Sequence, residues 1–99
     1  MAELEWLHHW FASRSDELKG AGIDHKCFVE RTSTDNPAAA FRLDSKTLIA
    51  NISLWESGDC DFDAYDLTCF PEKPLFAHRE IHSENELDEF LAPLVFPRK

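Results

Sequence analysis

Four aspartates, Asp59, Asp61, Asp63 and Asp66, crowd one short stretch of the chain. Carboxylates spaced this way open the calcium loop of an EF-hand, so a metal site is the first chemistry to test. Such a loop needs glycine at its sixth position and a bidentate carboxylate at its twelfth. Those positions hold Ala64 and Phe70, and the calcium reading fails at both. Cys27, Cys60 and Cys69 lack the Cys-x-x-Cys spacing of zinc and redox motifs. His8 and His9 are neighbours on a helix pattern and so point apart. His78 and His82 read as flanking the end of a strand, and His25 stands alone. With 3 glycines in the whole chain, no Gly-rich phosphate loop exists. Neither a nucleophile elbow nor a triad is recognisable. No catalytic, cofactor-binding or metal-binding residue is assigned, and the chain does not read as an enzyme.

The aspartates have another use. They follow Trp55-Glu56-Ser57-Gly58, and together the stretch 55–63 reads as a β-hairpin with a tryptophan set among carboxylates. Tryptophan is enriched where proteins grip one another, and carboxylates steer a basic partner. The opposite reading is that Trp55 packs under a loop and the acids are merely solvated. Composition agrees with a binding role. The formal net charge is −9, from 19 acidic against 10 basic side chains among 99 residues. Phosphate would repel such a surface, so nucleic acid is not an expected partner. A basic protein is, although acidity also serves solubility.

The amino terminus carries acids where a signal peptide needs bases. No run approaches the roughly 20 apolar residues of a membrane helix. A cytoplasmic protein with no membrane partner is expected. An odd number of scattered cysteines argues against a disulfide framework. Length and composition bound the whole chain, 1–99, to one modest domain.

The elements that position the hairpin follow from periodicity. Leu4, Leu7, Trp10, Phe11 and Leu18 mark one helix over 2–19, with Gly20 suited to a left-handed C-terminal cap. Strands are expected at 25–33, 38–44, 47–56, 60–69 and 74–82, with a Thr34-Asp35-Asn36-Pro37 turn after the first. Ser83-Glu84-Asn85-Glu86 is a capping box. Leu87, Phe90, Leu91 and Leu94 mark the buried side of a last helix, which Pro93 limits. The order α-β-β-β-β-β-α gives an α+β fold, an antiparallel meander of about five strands with both helices on one face. One edge of such a meander is open, so a monomer or a weak homodimer is expected.

Side-chain alternation then restricts the hairpin. A two-residue loop at Ser57-Gly58 pairs Leu54 with Asp61 and buries carboxylates. A three-residue loop, Ser57-Gly58-Asp59, pairs Leu54 with Phe62 and Ile52 with Ala64. It turns Trp55, Asp61 and Asp63 outward, with Asp61 opposite Trp55 and Asp63 opposite Ser53, and with Asn51, Ser53 and Arg42 alongside. Tyr65, Leu67 and Cys69 fall out of phase with Phe62 and Ala64, and a β-bulge near Ala64-Tyr65 would return Leu67 and Cys69 to the core.

The segments Asn36-Pro37-Ala38, Phe41-Arg42-Leu43, Leu54-Trp55-Glu56-Ser57-Gly58-Asp59-Cys60-Asp61 and Ser83-Glu84-Asn85-Glu86-Leu87 together resemble the TriTu immunity proteins. The resemblance covers about residues 36–95, and the amino-terminal helix matches in general character only. It implies a bacterial antitoxin against an Rhs-type, type VI-secreted ADP-ribosyltransferase toxin that modifies elongation factor Tu. Such a protein binds its toxin one-to-one and blocks the catalytic cleft. Trp55, Glu56, Asp59, Asp61, Asp63 and Arg42 are the candidate toxin-binding residues. A non-inhibitory adaptor or secretion chaperone is the alternative.

Overall fold

The computed structural model describes residues 3–31, 37–68 and 73–96. The turn expected at Thr34-Asp35-Asn36 lies outside them, as do Cys69, Phe70 and Pro97 and the side chains of residues 27–31.

A five-stranded antiparallel sheet runs in simple sequence order. Its strands are β1 (Asp24–Arg31), β2 (Ala38–Asp44), β3 (Leu48–Trp55), β4 (Asp59–Asp66) and β5 (Lys73–Glu80). The helices are α1 (Glu5–Ser13), α2 (Ser15–Gly20) and α3 (Glu84–Val95). The α+β meander with a helix at each end is therefore the observed architecture.

Period-two alternation sorts the strands cleanly. Ala39, Phe41 and Leu43 of β2, Ala50, Ile52 and Leu54 of β3, and Cys60, Phe62 and Ala64 of β4 all point inward and are buried. One row, Phe41–Ile52–Phe62–Ala77, crosses four strands in register. Leu7, Trp10, Phe11 and Leu18 from the first two helices and Leu87, Leu91 and Val95 from α3 join this same cluster. The Phe11 ring stacks on Phe41 at 4.3 Å. Burying side chains of this size contributes about 1.5–3 kcal/mol each, so this layer fixes the helices on one face of the sheet. Trp10 Nε1 donates to Asp88 at 3.0 Å, and Arg14 also reaches Asp88. These contacts tie α1 to α3 over the core.

The expected first helix is two. It breaks at Arg14, whose backbone leaves the helical region at φ −110° and ψ 11°. Just before the break, Ser13 Oγ donates back to the Trp10 carbonyl at 2.9 Å, a bond that competes with helical pairing. The left-handed cap is Gly22, at φ +73°, not Gly20. Gly22 N–H donates to the Lys19 carbonyl and Ile23 N–H to the Leu18 carbonyl, which is a Schellman motif with Gly20 still inside the helix. At α3, Ser83 Oγ accepts from Glu86 N–H at 3.2 Å. The Glu86 carboxylate returns to the His82 N–H rather than to that of the cap residue. Pro93 lies inside α3, which continues to Val95. Proline removes one helical donor, and packing of Leu91 and Val95 into the core outweighs that loss.

The hairpin loop has three residues, but they are Glu56-Ser57-Gly58. Leu54 pairs with Cys60, Ile52 with Phe62, Ser53 with Asp61 and Asn51 with Asp63. The expected register is thus displaced by two residues. A two-residue slip keeps every side chain on its expected face, so the face assignment survives while the partners change. Gly58, at φ +106°, closes the loop and donates to the Trp55 carbonyl at 2.9 Å.

The bulge expected at Ala64-Tyr65 is absent. The ladders on both sides of β4 run unbroken through Asp66. The strand simply stops there, because Asp66 Oδ1 accepts the Thr68 N–H at 2.9 Å and turns the chain. The irregularity in the sheet lies on β1, where the register shifts between Cys27 and Val29.

Candidate functional site

No described residue on the far side of the sheet from the helices is buried. This face is built from alternate residues. Across β2 to β5 it reads Arg42–Asn51–Asp63–Phe76 in one row, and Ala40–Ser53–Asp61–His78 in the next. A further row carries Ile49, Tyr65 and Pro74. Adjacent strands lie about 4.8 Å apart, so each row is a continuous strip.

Two large apolar side chains stand out on it. Tyr65 is 53% exposed and Phe76 is 70% exposed. Both sit on this face, each one strand over from its neighbour's acid or proline partner: Tyr65 pairs with Pro74, and Phe76 with Asp63. Single exposed apolar residues are ordinary. Here they share a face with half-buried Trp55 and Ile49, among carboxylates.

Asp59 and Asp61, at successive outward positions of β4, converge on His78 of β5. His78 Nδ1 is 2.5 Å from Asp61 Oδ1, and its Nε2 is 3.5 Å from Asp59 Oδ1. Asp59 also accepts from Ser57 Oγ at 2.9 Å. His78 therefore lies within β5 and does not flank its end; His82 is the one beyond the strand. The hydrogen bond to Asp61, with the nearby charges of Asp61, Asp59 and Glu80, raises the His78 pKa above 6.5. A raised pKa in the folded state means that the pair stabilises the fold fully below the unfolded value. That contribution disappears as pH rises through the folded value. The melting-temperature gap between the parent and His78→Ala should thus be widest below the ordinary histidine value of about 6.5 and shrink as pH rises above it. The gap should stay small, because the pair is at the surface. A gap that widens with pH would contradict this account.

The six residues expected from sequence fall into three places. Trp55, Asp59, Asp61 and Asp63 share the open face at the hairpin end of β3 and β4. Glu56 lies in the loop, half-buried, its N–H donating to the Pro37 carbonyl at 2.8 Å. Arg42 is on the same face but on β2, where it pairs with Asp44 at 3.2 Å; two strands separate it from Asp63's neighbours on β5. The partners differ from those expected, since Asp61 faces Ser53 and Asp63 faces Asn51. Tyr65, Phe76, Ile49 and His78 were not expected at the site. Strand parity alone would have placed Tyr65 outward with Asp61 and Asp63.

Asp59, Asp61 and Asp63 form a line along a strand rather than a ring around a loop. Among the described residues no group of three His, Cys, Asp or Glu side chains is arranged to hold a metal ion. Cys60 is fully buried on the inner face, and burial pushes its thiol pKa up to about 12, so it behaves as an apolar core residue. An apolar groove of about 830 Å³ lies beside the end of α3, with Leu48, Leu75, Leu94 and Phe96 on its walls, and it reaches Phe76 on β5. None of the six expected residues lines it. No described helix is long and apolar enough to cross a membrane.

The arrangement offers an open, partly aromatic surface biased toward negative charge. A family model described as Immunity protein TriTu matches residues 5–95. No curated protein and no solved structure matches the chain.

Proposed function

The chain belongs to the TriTu immunity protein family, and from that premise we propose that its open sheet face holds the cognate toxin. Membership makes it an immunity protein, whose partner is a toxin protein. The finer reading is that the toxin is an ADP-ribosyltransferase acting on elongation factor Tu, delivered on an Rhs protein by type VI secretion. The immunity protein meets it in the cytoplasm as a one-to-one inhibitor without enzymatic activity. It occupies the cleft through which NAD or the target protein enters.

The observation that carries the docking surface is the exposure of Tyr65 and Phe76 beside Asp59, Asp61 and Asp63 on a face that no described helix covers. Tyrosine and tryptophan are enriched among the residues that carry most of the energy of a protein interface. Carboxylates placed there raise the association rate with a basic partner and select against acidic ones. Trp55 extends the same surface to the hairpin tip.

Co-expression with the toxin encoded by the adjacent upstream gene tests the function. Growth should be rescued, the two proteins should co-purify one-to-one, and transferase activity should be lost in a purified assay. Absence of both rescue and complex would overturn the proposal. A stable complex with full transferase activity would instead point to an adaptor or secretion chaperone.

A further inference from the structure

The two edges of the sheet are not equivalent. At one edge, the register of β1 shifts between Cys27 and Val29, and a bulge of this kind spoils an edge for further pairing. At the other, β5 pairs with β4 without interruption from Lys73 to Glu80. No described residue pairs with its outer side.

The direction of each backbone group on β5 follows from one bond. Ile81 N–H donates to the Gly58 carbonyl at 2.7 Å, so position 81 faces β4. In an antiparallel strand successive residues alternate in direction. Arg79, Ala77 and Leu75 therefore also face β4, while Glu80, His78 and Phe76 turn their N–H and C=O groups outward. Pro74 falls on the outward set, where its missing N–H breaks no bond within the sheet.

Those outward residues are also the ones whose side chains stand on the open face. The backbone edge and the aromatic-acidic surface thus meet at Phe76, His78 and Glu80. We propose that the toxin adds an extended segment to the outer edge of β5 as a sixth strand. This rests on the reading that the open face holds the toxin. The segment carries an apolar side chain beside Phe76 and basic ones beside Glu80 and the Asp59–Asp61 pair. Main-chain bonds supply affinity in this mode and alternate side chains supply selectivity.

Charge decides between this partner and a second copy. Pairing two β5 edges would join two chains of net charge −9 and set their acidic faces side by side. A basic strand meets attraction where a copy meets repulsion. On the β1 side of the face Lys26 and Arg42, paired across strands, stand next to Asp24 and Asp44, so their charges balance and offer a basic segment less attraction.

Amide hydrogen exchange, read residue by residue in the free protein and in its complex with an inactivated toxin domain, tests the proposal. Leu75, Ala77 and Arg79 should be slow in both states. Phe76, His78 and Glu80 should exchange fast when free and slow by roughly 100-fold or more in the complex. A second measurement compares His78→Pro with His78→Ala. Only the proline variant lacks the outward N–H, so it should bind at least ~30-fold more weakly than the alanine variant. A complex in which the three amides stay as fast as in the free protein would overturn the added strand while leaving the immunity reading intact. Protection in the free protein that grows with its concentration would identify a second copy as the occupant and overturn the toxin strand. Failure to form any complex would remove the docking reading itself, and this inference with it.

Discussion

The double variant Asp61→Lys/Asp63→Lys binds the toxin on the order of 100- to 1,000-fold more weakly than the parent, with the fold retained. That is the expected result, and the geometry gives both halves of it. Asp61 and Asp63 pair outward with Ser53 and Asn51 on β3 and with His78 and Phe76 on β5, and neither is buried. Lysine at these positions meets no core atom. The folded state loses the contact with His78, a solvent-screened surface pair of the kind that contributes little to stability. Binding suffers more. Charge pairs that become buried and hydrogen-bonded on docking are worth about 2–5 kcal/mol when one partner is removed, through faster dissociation, and reversal adds repulsion. Each 1.4 kcal/mol is about tenfold in affinity. A slower association should add to that loss and recover at high salt, since steering by exposed charges is screened within about 10 Å at 0.1 M salt. Binding measured at two salt concentrations, with thermal unfolding as the folding control, checks the result. Unchanged affinity would move the docking site off this face, whatever the protein's function.

Much of this surface can be read from sequence, for a definite reason. Leu48, Ala50, Ile52 and Leu54 alternate strictly with Ile49, Asn51, Ser53 and Trp55, and strand geometry forces such a pattern to choose faces. Phe62 and Ala64 do the same on β4. Parity alone, however, does not fix partners. Pairing Leu54 with Phe62 or with Cys60 leaves both inner and outer sets intact, and the choice falls to the loop. The expected loop put Gly58 at its centre. The observed loop puts it last, where a positive φ closes the turn onto Trp55.

Tyr65 and Phe76 show a second limit. The rule that apolar side chains go inward favours a bulge to bring Leu67 and Cys69 to the core, and it leaves Tyr65 unassigned. The helices cover one face only, and nothing in the local sequence states which face they take. His78 illustrates a third limit: its pairing with Asp61 joins residues 17 apart in sequence. It becomes visible only once the β4–β5 register is known. Caps and helix faces, by contrast, are short-range, and the Ser83 box was legible for that reason, apart from the residue its glutamate reaches.

The residue with the largest expected effect on stability is Gly58. Its φ of +106° lies where L side chains are rarely found, and a Cβ built there would stand 2.9 Å from the Ile81 carbonyl oxygen. Gly58 is also fixed at both ends, donating to Trp55 and accepting from Ile81 at 2.7 Å. The local strand-to-helix path therefore cannot yield without losing one of these bonds. Ile81 itself is fully buried, so displacing its carbonyl disturbs the core. A left-handed non-glycine residue costs about 1–2 kcal/mol, and a lost hydrogen bond about 1 kcal/mol more. For a chain near 100 residues, about 3 kcal/mol lowers the melting temperature by roughly 15 °C. Gly20→Ala is the matched control. Gly20 is helical, and its added Cβ would meet nothing within 4 Å, so alanine there should leave the melting temperature unchanged or raise it slightly. Because Gly58 sets the positions of Trp55 and Asp59, toxin affinity of Gly58→Ala should also fall, even at a temperature where the variant is folded. Melting within about 3 °C of the parent would mean that the hairpin closes by a different turn. The register on which Asp59, Asp61 and His78 come together would then fail with it.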